Sequence, residues 1–440
     1  MFSIAAESKS VKMAVIILMA AMLFACIFAS LYYNDKLLLG SFELYDDDDV
    51  KYLRSAQTFI KTGQLTYGYP DKPTVFIMPG ITLFLSPFVA LFGAPGAVMP
   101  VRIVFAILQT FNLYMVFFIA RKIFNSRVAL ITMVLSFFYL PNIYVSTVVL
   151  TEVPAYTAFL LMIYFLIWGT ETKQKRLLFI AGTMWAIAVM FRATMTVLGI
   201  VIFIYWLFKK IGIKDMAKFA VCVAIPFVII MSPWVIRNFE VFDRFIPLTL
   251  SSGNPKMQGT IIDYSAEERE KLLAVVNTND IDYGDSEISA DAAEHEIENR
   301  LFKYNIKHNT VEYLRWYTVG KTIRNFSLPY MWYPIYLGTY LPITVYHRAL
   351  LVVFVASVLF MIIQKRINAE TGMILVTVLL FNCIHLPYYC FSRYMYMVMC
   401  FIIMISAYGF QYMYKQFRHI FIKMKNFVDK TAKSVYNVIN

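Results

Sequence analysis

The sequence predicts an all-α, polytopic membrane protein with about ten transmembrane helices, juxtamembrane helices in its first outer loop and a small helical extracytoplasmic loop domain. Three observations predict it. Of 440 residues, 60% are hydrophobic and only 15% charged, and the mean hydropathy is +0.62, far too apolar for a soluble globular chain. The apolar residues fall in runs of bilayer length. Basic residues cluster in the short connections between those runs, so the net charge of +12 reads as membrane topology and excludes a nucleic-acid partner. Cys26, Cys222, Cys383, Cys390 and Cys400 all lie in or beside apolar runs, which argues against a disulfide framework or a thiolate metal site.

A helical span needs about 20 apolar residues. Suitable runs occupy residues 12–33, 98–120, 128–149, 151–170, 177–194, 194–208, 217–236, 343–363, 371–389 and 393–413. The first carries no small-residue cleavage site and is expected to be retained. The run 74–92 is apolar enough to cross as well, but charge argues otherwise. Held at the outer surface, as a juxtamembrane or re-entrant element, it leaves Arg121, Lys122, Arg127, Lys173, Lys175, Arg176, Lys209, Lys210, Lys214, Lys218, Lys365 and Arg366 on the cytoplasmic side, as the positive-inside rule requires. Pro79-Gly80 and Pro87 suit a bent element there.

The chain then divides into an N-terminal transmembrane module, 1–236, with a first outer loop at 34–97; an extracytoplasmic helical loop domain, 237–342; C-terminal transmembrane helices, 343–413; and a basic tail, 414–440. Both termini are expected in the cytoplasm. Within the loop domain, Ser265-Ala-Glu-Glu268 and Asn309-Thr-Val-Glu312 read as helix starts, and 290–307 as a charged helix with Ile297, Leu301 and Ile306 on a narrow apolar stripe. The tail alternates Phe417, Phe421, Met424 and Val428 with lysines, the pattern of an interfacial amphipathic helix.

Four consecutive carboxylates, Asp46, Asp47, Asp48 and Asp49, open the first outer loop. Such a run must be solvated, bind a cation or face a positive ligand, and it is a candidate divalent-cation site. Asp48 and Asp49 are followed by Tyr52 and Ala56 at helical spacing. Ionisable residues near the ends of spans are site candidates by default: Glu152, Arg192, Arg237 and Arg393, the last following His385 and Tyr389. Each arginine read singly is explained equally well by snorkelling to the headgroups. Together with the acidic loop they suit an amphiphilic ligand with a phosphate headgroup and a lipid tail, because arginine gives phosphate paired donors and a carboxylate can act as general base on an acceptor hydroxyl. Walker, GxGxxG, HExxH and paired-cysteine motifs are absent from the sequence. Glu294, His295 and Glu298 share a helical face, which reads as charged surface.

The pattern resembles the GT-C membrane glycosyltransferases, in particular the bacterial protein-mannosyltransferase-like and aminoarabinose-transferase-like group (glycosyltransferase family 39-like). Asp48-Asp49-Val-Lys-Tyr52 resembles that group's first-loop motif, PTVFIMPGITLFLSPFVALFG followed by Arg102 its juxtamembrane segment, Leu150-Thr-Glu152 its second-loop acid, Gly182 through Arg192 its Gly-to-Arg helix, Pro233-Trp-Val-Ile-Arg237-Asn238 its PW-x-x-RN segment, and Arg393-Tyr394 its late RY. The resemblance implies sugar transfer from a polyprenyl-phosphate donor to an acceptor hydroxyl on a lipid, glycan or protein, with inversion, at the extracytoplasmic face of a bacterial cytoplasmic membrane. It implies Asp48 as general base with Asp49 assisting, and Arg192, Arg237 and Arg393 as neutralisers of the phosphate. Glu152, Asn238, His385 and Tyr394 are further substrate-binding candidates. The group carries a basic residue before the proline pair where this chain has Met78; Lys72 is the substitute candidate. A lipid-linked oligosaccharide flippase, an O-antigen ligase or polymerase, and a solute transporter are the alternatives. A transporter places acids and helix breaks at the bilayer midplane, where this sequence is nearly free of acids.

Overall fold

The computed structural model describes residues 3–439, with side chains through Tyr414 and at Gln416. It is all-helical among the described residues. In order the helices are α1 Lys9–Tyr33, α2 Asp48–Thr62, α3 Gly80–Gly96, α4 Val98–Ile123, α5 Ser126–Phe138, α6 Pro141–Tyr144, α7 Glu152–Thr172, α8 Lys175–Phe191, α9 Leu198–Phe208, α10 Ile213–Phe242, α11 Gly253–Gly259, α12 Ala266–Val275, α13 Glu287–His308, α14 Thr310–Arg315, α15 Lys321–Ser327, α16 Leu341–Ile363, α17 Ala369–His385 and α18 Ser392–Ile439.

Six stretches among the described residues are long and apolar enough to cross a membrane: those at Lys9–Leu37, Val98–Ile123, Glu152–Thr172, Ile213–Phe242, Leu341–Ile363 and Ser392–Tyr414. Shorter apolar helices occupy Gly80–Gly96, Ser126–Phe138, Ala193–Phe208 and Ala369–His385. The elements therefore differ from ten uniform spans. The run 128–149 is broken after Phe138, since Pro141 lacks an amide donor and restarts the chain as the one-turn α6. The runs 177–194 and 194–208 are parted at Arg192, which is extended (φ −145°, ψ 112°). In the run 74–92, helix begins only at Gly80, and it continues past the run to Gly96 across a kink at Gly93, whose φ is 72°.

Close packing needs small residues where helices touch. A Cβ on Gly182 of α8 would lie 2.2 Å from the Val223 carbonyl of α10, and one on Gly80 would lie 2.5 Å from the Met190 carbonyl at the end of α8. The second contact seats the start of α3 against the strand-like turn that carries Arg192.

The loop segment is a layer of short helices with its own small core of Met257, Leu272, Ile297 and Leu301. Ser265 caps α12 as expected, accepting from the Glu268 amide at 3.3 Å. The expected cap at Asn309 does not form; its side chain donates to Asn305 instead. Gly253 lies so close to α13 that a Cβ would meet the Asp291 carbonyl at 2.5 Å. Glu294 and His295, expected as charged surface, bind Asn254 at 2.7 Å and Ser252 at 2.9 Å, so they fasten the 252–254 turn.

Lys321 of α15 is fully buried. Burial pushes its amine down to about 7, and Nζ donates to the Leu386 and Tyr388 carbonyls at 2.7 and 3.2 Å. This fixes the turn between α17 and α18, immediately before Arg393. The tail 414–440 continues α18 as helical backbone; the side chains that would form its expected amphipathic face lie outside the described residues.

Candidate active site

Asp47 N-caps α2, its carboxylate accepting from the Asp48 amide at 2.7 Å, so Asp48 becomes the first helical residue. A carboxylate there is favoured by the helix dipole. Tyr67, in the turn after α2, donates its hydroxyl to Asp48 Oδ1, and Arg393 donates Nη1 to Oδ2 at 2.6 Å. Glu152 occupies the same kind of position, as the first residue of α7, and is fully buried. It accepts from Arg192 Nη1 at 2.5 Å and from Arg393 Nε and Nη2. Arg192 also donates to Thr151 Oγ1 at 3.2 Å.

The N-termini of α2, α7 and α18 and the break between α8 and α9 thus meet at two carboxylates and two guanidiniums. Within this network Glu152 orients both arginines, and Arg393 bridges both acids. Burial raises the Asp48 carboxyl, but the charge of Arg393 and the bonds from Tyr67 and Arg393 outweigh it, so the group is held below its ordinary range.

A cavity of about 730 Å³ opens beside this network, lined by Asp48, Tyr52, Tyr67, Met78, Thr151, Arg192, Thr196, Ser251, Ser252, His385, Tyr388, Arg393 and Tyr394 among others. Its volume suits a small-molecule headgroup. Of the catalytic and substrate-binding candidates read from the sequence, Asp48, Arg192, His385, Arg393 and Tyr394 line it.

The others stand behind it. Asp49 is buried, and its carboxylate accepts from the Leu39 and Gly40 amides at 2.8 and 3.1 Å, tying 38–40 to α2; burial lifts its carboxyl above the ordinary value. Arg237 donates to the Thr74 and Leu65 carbonyls at 2.7 and 3.4 Å and to Asn238 Oδ1 at 3.0 Å. Asn238 in turn donates to the Ile246 carbonyl at 2.9 Å. Lys72 reaches out to the Asp285 carbonyl at 2.5 Å.

The four aspartates do not converge. Asp46 accepts from the Ser41 amide at 2.8 Å, Asp47 caps α2, Asp48 faces Arg393, and Asp49 faces backbone. Each has a separate donor. Among the described residues there is no group of three or more His, Cys, Asp or Glu side chains that could hold a metal ion.

Tyr67 was not visible as a site residue in the sequence. Its signal was the aromatic turn TYGY, where its ring packs 5.7 Å from Tyr52 and 6.3 Å from Phe76, which aims the hydroxyl at Asp48. Arg54 secures the same turn, donating to the Tyr67 and Gly68 carbonyls at 2.6 and 3.1 Å. The segment before α11 also carries no site signal in the sequence, yet Thr249, Ser251 and Ser252 form part of the wall.

Residues 71–236 match the family model of dolichyl-phosphate-mannose-protein mannosyltransferases. No curated protein sequence matches the chain. The fold is that of an archaeal oligosaccharyltransferase, AglB from Archaeoglobus fulgidus, solved with an inhibitory peptide and a dolichol-phosphate: 13% identity over 93% of this chain and 51% of that one, with a TM-score of 0.51. Its apo form gives 12% identity, 93% and 52% coverage and a TM-score of 0.52. This chain therefore spans about half the length of that protein. ArnT from Cupriavidus metallidurans, solved with undecaprenyl phosphate, aligns over 90% of this chain and 77% of its own at 14% identity and a TM-score of 0.42. The resemblance to the GT-C glycosyltransferases is borne out by the family match and the fold.

Proposed function

We propose that the chain is an integral membrane glycosyltransferase that moves a sugar from a polyprenyl-phosphate carrier to an acceptor hydroxyl at the extracytoplasmic face. The observation that carries this reading is Arg393, which pairs with Asp48 on the cavity wall while its other nitrogens are fixed by Glu152. A base and a phosphate-binding cation are thereby held side by side. Support comes also from the family match over 71–236, and from the fold shared with a protein solved with a dolichol-phosphate.

In this reading the acceptor oxygen forms a bond to the anomeric carbon as the bond from that carbon to the phosphate oxygen breaks. The hydroxyl proton passes to Asp48, and the leaving polyprenyl phosphate takes the electron pair and meets Arg192 and Arg393. Attack opposite the leaving group inverts the anomeric centre. Tyr67 orients the base. Glu152 keeps two arginines poised, and together with Asp48 it balances their two positive charges. Asp49, Arg237, Asn238 and Lys72 act as scaffold for the first loop, a different division of labour from the one the sequence motifs imply. Transfer of labelled sugar from the polyprenyl-phosphate donor in membranes tests the reading: an Asp48→Asn variant is inactive, and transfer at the wild-type rate refutes the general-base role.

A further inference from the structure

His385, the last residue of α17, is almost fully buried yet its ring lines the cavity. Nδ1 bonds the Phe381 carbonyl one turn back at 2.6 Å; a carbonyl only accepts, so Nδ1 carries the proton. The ring is further held by stacking on Tyr394, 4.6 Å away at 23°. Nε2, on the other side of the ring, is buried and has no hydrogen-bond partner. An orphaned nitrogen in a buried, immobilised ring is costly to keep unless a ligand satisfies it.

The charge around it decides what that ligand offers. Arg192 lies on the same cavity wall, while both oxygens of Glu152 are already engaged by Arg192 and Arg393, and Asp48 is engaged by Tyr67 and Arg393. His385 has no carboxylate among its hydrogen-bond partners. A second cation beside Arg192 is therefore disfavoured, and the ring stays neutral, with a lone pair on Nε2. A lone pair repels phosphate oxygens and accepts from a hydroxyl.

We propose that His385 Nε2 is a specificity determinant for the transferred sugar, accepting a hydrogen bond from one of its hydroxyls while the arginines take the phosphate. This rests on the proposed transferase function. Two substitutions separate the ring's two nitrogens. His385→Asn keeps a donor near Nδ1 but removes the acceptor at the Nε2 position, and His385→Gln restores an acceptor there.

The test uses the full chain in detergent, with undecaprenyl phosphate bare or carrying mannose, glucose, galactose or N-acetylglucosamine. For the sugar the wild type transfers, His385→Asn raises the donor KM about tenfold with a much smaller change in kcat, and His385→Gln recovers most of it. Affinity for bare undecaprenyl phosphate is unchanged in both. Nitrogen-15 spectra show a proton on Nδ1 and a shift of Nε2 on adding the sugar-bearing lipid, and none with the bare lipid. A wild-type donor KM in His385→Asn, an equal loss of bare-lipid binding, or an Nε2 shift with bare lipid overturns the proposal. Wild-type protein that binds and transfers none of the sugar-bearing lipids contradicts the transferase reading itself, and so differs from a failure at His385 alone.

Discussion

Arg393 and Asp48, 345 residues apart in sequence, form an ion pair of 2.6 Å that joins the start of α18 to the start of α2. Because Glu152 holds the same guanidinium from beneath, the first loop, α7 and α18 are coupled through one side chain.

Removing that side chain leaves a fully buried glutamate with one counterion fewer. Breaking a buried pair from one side costs about 3–5 kcal/mol, so Arg393→Ala should lower the thermal midpoint in detergent markedly and abolish transfer. Arg393→Lys keeps the charge but cannot reach both acids, and should recover stability in part and activity little. An Arg393→Ala protein as stable as wild type removes the bridging role.

The depressed Asp48 carboxyl has a consequence in pH. A group whose folded value lies below its unfolded one contributes stability that is complete above the unfolded value, about 4, and that is lost as pH falls through the folded value. Transfer should therefore show no acid limb from Asp48 between pH 5 and 8, on the ordinary range for carboxylates. Tyr67→Phe removes one of the donors to the carboxylate, a loss of about 1.5–3 kcal/mol for a bond to a charge, and should move the acid limb of the pH–rate profile upward. An unmoved limb means that the hydroxyl does not act on Asp48.

Two arginines from the sequence motifs are predicted to separate. Arg192 lines the cavity and Arg237 is occupied with the Thr74 and Leu65 carbonyls. Arg192→Ala should weaken binding of undecaprenyl phosphate at least tenfold, on the scale of a lost charge-assisted contact. Arg237→Ala should leave that affinity within about twofold while lowering kcat through a loosened first loop. Equal losses of affinity would return Arg237 to the phosphate site.

Glu287, at the start of α13, accepts from the Gly68 amide at 2.6 Å and from the Thr74 hydroxyl, latching the loop segment to the turn that carries Tyr67. Glu287→Ala should speed hydrogen exchange at Gly68 by about tenfold or more, since the amide loses its partner. Unchanged exchange there would show that the latch does not hold the turn.

The class of fold was legible because bilayer thickness sets helix length, a local property of the sequence. Arg192 and Arg393 were legible as ionisable residues at the ends of apolar runs, where an unpaired charge is expensive, and Asp48 through the carboxylate run and its spacing to Tyr52. What stayed hidden depends on backbone path. Asp49 and Arg237 carry the same side-chain chemistry as their neighbours, yet each faces main-chain groups of a loop whose course periodicity does not encode. Tyr67 looked like one of several tyrosines in a turn. The run 128–149 reads as one span because its residues are apolar throughout, whereas helix ends at Phe138 and only Pro141 marks the interruption. Asp46 and Asp47 were legible only as part of a candidate cation-binding run; in the structure Asp46 accepts from the Ser41 amide and Asp47 caps α2.

In the proposed reaction Asp48 takes the proton of the acceptor while Arg192 and Arg393 take the charge of the departing phosphate. The most direct test is the transfer of labelled sugar from a polyprenyl-phosphate donor by Asp48→Asn protein, measured beside binding of bare undecaprenyl phosphate. Transfer should fall by at least 10²-fold, the lower end of a general base's contribution, with lipid phosphate still bound. Transfer by Asp48→Asn at the wild-type rate contradicts the general-base role.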